Sequence, residues 1–163
     1  MKTILVIRHA KAEIGYGLKD FDRSLSDRGL QDAPTMAERV ADKKIDIDVF
    51  ISSAAKRTKQ TAELFCKILH KKEQDVILKT ELFHAPASTF YEVINNIDDK
   101  FNCAAIFGHS PGISDFANNL TKEVSVGDIP TCGVFAVTAN IKSWKEFAAA
   151  TKEFLLFDYP KNL

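Results

Sequence analysis

Thr3-Ile4-Leu5-Val6-Ile7 runs straight into Arg8-His9. Five apolar or β-branched residues without alternation read as a strand buried on both faces. The two residues after it are basic or titratable. The rest of the chain repeats this grammar. Asp48 to Ser52 predicts a second strand, leading into Ser53 and Arg57. Val76 to Lys79 predicts a third, leading to Glu81 and His84. Ala104 to Phe107 predicts a fourth, leading to Gly108-His109-Ser110-Pro111-Gly112. Gly133 to Asn140 and Glu153 to Asp158 predict two final strands, with a helical stretch around Trp144 to Ala149.

Helical spacing fills the gaps. Ser26 is an N-cap residue with Asp27 in the first turn, and Leu30, Ala33, Ala37 and Val40 then share a face. Pro34 inside that pattern predicts a kink or a late start. Ala55 to Leu69 predicts a second helix, with Thr58, Ala62, Phe65 and Leu69 inward. Ser88 is expected to cap a third that runs to about Ile97, supported by Glu92. Ile113 to Leu120 predicts a fourth. Strands alternating with helices predict an α/β sandwich with a mainly parallel sheet. In such sheets ligands sit beyond the carboxyl ends of the strands.

The 163 residues predict one domain, 1–163. Lys+Arg and Asp+Glu number 22 each, so the net charge is zero and no nucleic-acid or membrane partner is expected. An anion site must therefore be built from a few placed cations. Cys66, Cys103 and Cys132 are odd in number with no C-x-x-C pair, which fits buried thiols in a reducing compartment. The apolar run before Arg8 is too short for a signal-peptide core or a membrane span. A cytoplasmic location is the expectation, and nothing in the chain calls for more than a monomer or weak dimer.

Arg8, His9, Arg57 and His109 all follow strand ends, so they converge on one edge of the sheet. A phosphoryl group carries about two negative charges and three acceptor oxygens. Arginine matches it with a planar fork of donors. Helix N-termini after Ser53 and Gly108 would add N–H donors. One neutral imidazole can attack phosphorus, and a second, protonated, can hold equatorial oxygens. The two arginines disfavour a cation, and no H-x-H or H-x-x-x-H occurs, so no metal and no cofactor is expected.

These segments carry a resemblance. Arg8-His9-Ala10, Ser52-Ser53-Ala54-Ala55-Lys56-Arg57 through Gln60-Thr61-Ala62-Glu63, and Gly108-His109-Ser110-Pro111-Gly112 are similar, in that order, to signature segments of the histidine phosphatase superfamily, which includes the phosphoglycerate mutases. Arg8-His9-Ala10-Lys11-Ala12-Glu13, Arg23 through Gly29, and the late Pro160-Lys161 and Leu163 resemble the SixA-like phosphohistidine phosphatases. Ala10 and Ala54 stand where glycine and proline are usual. The resemblance implies a three-layer, phosphoglycerate mutase-like α/β/α sandwich. It implies His9 as a nucleophile passing through a phosphohistidine, and Arg8, Arg57 and His109 as the phosphate pocket. Ser53, Gly108 and Ser110 are further phosphate-binding candidates.

Larger relatives carry a carboxylic acid that protonates the leaving oxygen. Glu81 is the candidate by position, with His84 next and Asp20 or Asp22 in the loop after His9. A phosphohistidine substrate needs no such acid, because it departs as neutral imidazole, whose conjugate acid has a pKa of about 6.5. The stretch between Glu81 and Cys103 is one helix long, so an open cleft is expected, suited to a histidine-phosphorylated protein. The rival readings are a small-molecule phosphomonoesterase and a non-catalytic phosphate-binding adaptor.

Overall fold

The computed structural model describes residues 1–163. Six strands form one sheet: β1 (Lys2–Arg8), β2 (Val49–Ser53), β3 (Ile77–Lys79), β4 (Cys103–Gly108), β5 (Val134–Ala139) and β6 (Lys152–Asp158). Their order across the sheet is β3-β2-β4-β1-β5-β6. β1 to β4 pair in parallel, while β5 runs antiparallel to both β1 and β6. The sheet is therefore mainly parallel. The register sets Arg8 opposite Gly108, so β1 and β4 end side by side.

Four helices cover the sheet: α1 (Asp27–Asp42), α2 (Lys56–Ile68), α3 (Ala87–Asn95) and α4 (Gly112–Leu120). Successive strand residues point to opposite faces, and the two cores divide accordingly. Ile4, Val6, Ile51 and Ile106 pack with Phe90 of α3 and Phe116 of α4. Leu5, Ile7, Phe50 and Phe107 pack with Met36 of α1 and Phe65 of α2. This is a three-layer α/β/α sandwich. No helix is long and apolar enough to cross a membrane.

Several boundaries differ from the sequence expectation. α1 starts at Asp27 and continues through Pro34, so there is no late start. The Ser26 hydroxyl caps it by accepting from the Gly29 amide at 3.2 Å, and Ser26 is itself anchored to the Lys11 carbonyl by its amide and hydroxyl. Leu30 is exposed; Met36 takes the inner position instead. α3 is led by Pro86 rather than Ser88, whose side chain makes no cap. Proline presets the entry to α3, and Ser88 is left exposed in the first turn. α3 ends at Asn95. The stretch around Trp144 closes to a short 3-10 turn, Trp144–Glu146, capped by Ser143.

Two glycines fix how the helices meet the strand ends. A Cβ on Gly108 would lie 2.8 Å from the Phe90 ring. One on Gly112 would lie 1.7 Å from the Ala85 carbonyl oxygen, so only glycine lets the start of α4 touch the chain before α3. That chain segment carries His84.

Candidate active site

His9 follows β1, Arg57 lies in the first turn of α2, and His109 follows β4. All three are buried. The His9 amide donates to the Gly108 carbonyl at 3.1 Å, and its own carbonyl accepts from the Cys132 amide at 3.0 Å. The next amide, of Ala10, donates to Thr61 Oγ1 at 3.0 Å. Thr61 Oγ1 in turn donates to the Arg57 carbonyl at 2.8 Å, and Gln60 Oε1 accepts from the Leu25 amide at 2.8 Å. The Gln60-Thr61 pair thus pins the loop after His9 to α2. Ala10 is fully buried, so its methyl group packs in the core in place of glycine.

The tautomer of His9 follows from one contact. Its Nδ1 lies 2.7 Å from the Ala10 carbonyl oxygen. A carbonyl only accepts, so Nδ1 carries the hydrogen and Nε2 carries the lone pair. Arg57 Nε donates to that Nε2 at 3.4 Å. Burial lowers His9 to about 4, and Arg57, Arg8 and Arg23 add to the effect against the Ala10 hydrogen bond. The ring is neutral at physiological pH.

His109 is oriented in the same way. Arg57 Nη2 lies 3.2 Å from its Nδ1, which must accept because a guanidinium only donates. Its Nε2 then donates to Ser53 Oγ at 2.8 Å, with Thr58 Oγ1 at 3.2 Å. Ser53 therefore holds His109 instead of reaching into the pocket. The His109 and His9 ring centroids are 5.2 Å apart. Burial lowers His109 to about 3, helped by His9, Arg57 and His84. The protonated second histidine expected from the sequence is thus a neutral ring at physiological pH. It can gain its charge when a dianion arrives.

Arg8 stands at the other wall. Its Nη1 donates to the Ile129 carbonyl at 2.7 Å and reaches Asp128 at 3.5 Å. Its Nε is buried with no partner, a donor left for a ligand. The Ser110 hydroxyl is engaged by Asp128 and by Ser114, so it braces this wall. Those bonds hold the Asp128 carboxyl below its usual range. Gly108 serves the site through its carbonyl and its missing side chain.

Glu81 is not brought to this cluster. The 3-10 turn Thr80–Leu82 buries Leu82 and leaves Glu81 exposed, lining a separate groove with Ile77, Lys79, Thr89 and Glu92. Position after a strand gave the right edge but the wrong side of the turn. The rim is formed by Asp20 and His84 instead. Asp20 accepts from Arg57 Nη2 at 3.0 Å, and its carbonyl accepts from Arg57 Nη1 at 2.6 Å. Arg23 Nε reaches its other oxygen at 2.8 Å. Burial raises Asp20, but the hydrogen bonds from Arg23 and Arg57 outweigh it and bring it to about 2. His84 Nε2 lies 2.9 Å from Asp20 Oδ2. Asp22 makes no side-chain contact with the cluster.

Thr58, Thr61, Arg23, Ser114 and Asp128 were not singled out from the sequence as site residues. Thr58, Thr61 and Arg23 lie within quoted motif segments, which was the available signal. Ser114 and Asp128 lie outside all of them.

Fold and site together define an α/β/α protein with a cationic, imidazole-lined pocket at the carboxyl ends of β1, β2 and β4. The family model of the histidine phosphatase superfamily (branch 1) matches residues 4–82, which include His9, Ser53 and Arg57. A Mycobacterium leprae relative, uncharacterized protein ML1117, is 26% identical over 168 residues, covering 95% of this chain and 100% of its own. Uncharacterized protein Rv1276c of Mycobacterium tuberculosis is 28% identical over 112 residues, covering 68% of this chain and 67% of its own. Among solved structures, SixA from Nakamurella multipartitia superposes with a TM-score of 0.85 at 20% identity, covering 98% and 96% of the two chains. The protein histidine phosphatase SixA complexed with tungstate gives 0.83 at 17% identity, covering 98% of each. Mycobacterial glucosyl-3-phosphoglycerate phosphatase gives 0.74 at 13%, covering 98% and 100%. The fold is shared with all three.

Proposed function

We propose that this protein is a metal-independent phosphatase that takes the phosphoryl group of a phosphohistidine onto His9 and then releases it to water. The observation that carries the reading is the Nδ1–Ala10 contact of His9 at 2.7 Å, which leaves the Nε2 lone pair facing Arg57. Attack by Nε2 forms the N–P bond as the substrate nitrogen departs. Arg57, Arg8 and His109 hold the three phosphoryl oxygens while their charge redistributes. Water then attacks the phosphohistidine on His9 and restores the ring.

The phosphohistidine preference is supported by the carboxylates. Glu81 lies in another groove, and Asp20 is held ionised by Arg57 and Arg23. Neither is a ready carboxylic acid for a leaving oxygen, whereas imidazole leaves without one. The substrate is then a histidine-phosphorylated protein, such as a phosphotransfer domain, acting in the cytoplasm. The test is release of phosphate from such a domain. Turnover no faster than that of His9→Ala would reject the proposal.

A further inference from the structure

A turn over residues 14–18 puts its apolar side chains into solvent. Ile14, Tyr16 and Leu18 are 67%, 88% and 57% exposed and pack against neither core. They are three of the nine exposed large hydrophobic residues of the chain, gathered into one turn. Single exposed leucines need no explanation, whereas a contiguous exposed patch marks an interaction site. The turn is held in this form. Gly15 and Gly17 take left-handed φ of 69° and 78°. The Leu18 amide donates to the Gly15 carbonyl at 2.9 Å, and the Glu13 amide donates to the Ser24 carbonyl at 2.8 Å. Arg23 Nη1 donates to the Glu13 carbonyl at 2.8 Å. The far end of the same loop enters the pocket. Asp20 accepts from Arg57 at 3.0 Å. Phe21 stands edge-on to Phe83, ring centroids 5.1 Å apart, and Phe83 stands edge-on to His109 at 5.4 Å. The apolar turn is thus continuous with the rim of the phosphate pocket. Charge lies close by. Lys11, three residues before Ile14, lines a groove with Arg28, Asp32, Tyr159 and Lys161. Arg28 is paired with Asp32 at 3.1 Å, while Lys11 and Lys161 make no ion pair.

We infer that the turn 14–18 is the docking surface for the phosphorylated protein whose histidine enters the pocket, and that this partner presents an apolar patch bordered by acidic side chains. This rests on the proposed phosphohistidine reading and adds the surface that selects the protein. Continuity with the rim decides the occupant. His9 is buried, so a phosphoryl group carried on a protein reaches it only when the surrounding surface of that protein lies against the rim. That surface is then brought onto Ile14, Tyr16 and Leu18. Tyrosine is among the residues that anchor protein interfaces. Lys11 and Lys161 supply unpaired cations beside the contact, complementary to carboxylates. A lipid bilayer on the turn would lie across the pocket instead of delivering a phosphoryl group to it. A small phosphorylated molecule fills the pocket and leaves the turn in water. The turn therefore lowers KM for a protein and does nothing for a small substrate.

The experiment compares wild type with the triple variant Ile14→Ser, Tyr16→Ser, Leu18→Ser on two kinds of substrate. One is phosphoimidazole, which has no protein surface. The other is the set of phosphotransfer domains and phosphocarriers of the same cell, each phosphorylated on histidine and assayed singly. None of the three side chains packs in a core, so the fold is retained, and an unchanged thermal midpoint checks it. The expected result is a loss of about 10- to 100-fold in kcat/KM on the preferred protein, carried by KM, and a change within about twofold on phosphoimidazole. Lys11→Ala with Lys161→Ala should raise KM for the protein about three- to tenfold and flatten its dependence on salt. A wild-type KM that ignores salt would overturn the acidic border. An equal loss on both kinds of substrate, no loss on the protein, or a wild type that prefers phosphoimidazole to every protein would overturn the inference. A triple variant that keeps protein turnover but loses self-association, or binding to phosphatidylglycerol vesicles, would give the turn to a second copy or to a membrane and overturn it as well. Phosphoimidazole hydrolysed no faster by wild type than by His9→Ala would strike the phosphohistidine reading itself, so the two failures are distinguishable.

Discussion

The inner wall and the rim of this pocket are built from different material. His9, Arg57 and His109 sit at strand ends or in a helix's first turn, are buried, and have their rings and forks fixed by neighbours that admit one proton arrangement. Asp20 begins a short 3-10 turn and is half-buried, His84 sits on a connecting loop and is exposed, and the pair touches the wall through the Arg57 fork. The wall has little freedom and, on the mechanism proposed above, sets which atom attacks. The rim is the more exposed part.

The sharpest way to break that division is at the wall. His9→Ala should reduce turnover on every substrate to background, a loss on the order of 10⁴-fold or more, together with loss of phosphoenzyme labelling. Arg57→Ala should cost about 10³-fold, and Arg57→Lys should recover only part of it, because a point charge lacks the two-pronged geometry. A lysine variant with wild-type turnover would remove Arg57 from the oxygens. Ser53→Ala leaves His109 held by Thr58 and Arg57 and should cost about tenfold through loss of one buried hydrogen bond.

The same contrast explains what the sequence could tell. Residues placed by a period-two strand or by the first turn of a helix are locatable from local pattern, so the ends of β1, β2 and β4 gave the wall directly. The motif segments also contain Thr58 and Thr61, but their work lies in hydrogen bonds between α2, β4 and the loop after His9, and spacing does not encode those. Glu81 shows the limit. A single 3-10 turn after β3 sends Leu82 into the core and Glu81 outward, and a one-residue difference in that turn would have reversed them. Asp128 reaches Arg8 and Ser110 across 120 and 18 residues of chain, a separation that no window of sequence spans.

Protonation offers a test of intermediate size. His9 and His109 are both lowered by burial, to about 4 and about 3. The unfolded chain binds protons on both rings near pH 6.5, while the folded chain resists them. Stability should therefore be greatest above about pH 6.5 and fall by a few kcal/mol as pH drops toward 4. Thermal midpoints measured between pH 4 and pH 8 check this. Inorganic phosphate should flatten the fall, because an anion in the pocket favours the protonated rings. A midpoint that rises on acidification would mean the folded protein holds the rings charged.

The smallest effects belong to the periphery. Asp20→Asn removes the carboxylate that occupies Arg57, so inorganic phosphate should inhibit about three- to tenfold more tightly. Glu81→Gln should change neither phosphohistidine nor ester hydrolysis by more than about twofold, the range of an exposed charge distant from the chemistry. The argument for that null effect is geometric. Glu81 makes no hydrogen bond or ion pair and faces a groove lined by Ile77, Lys79 and Thr89. For Glu81 to act as an acid, the turn Thr80–Leu82 would have to roll Leu82 out of the core, which costs about 2–3 kcal/mol in lost burial. A large loss of ester hydrolysis in Glu81→Gln would show that this roll occurs during turnover and would make Glu81 the proton donor.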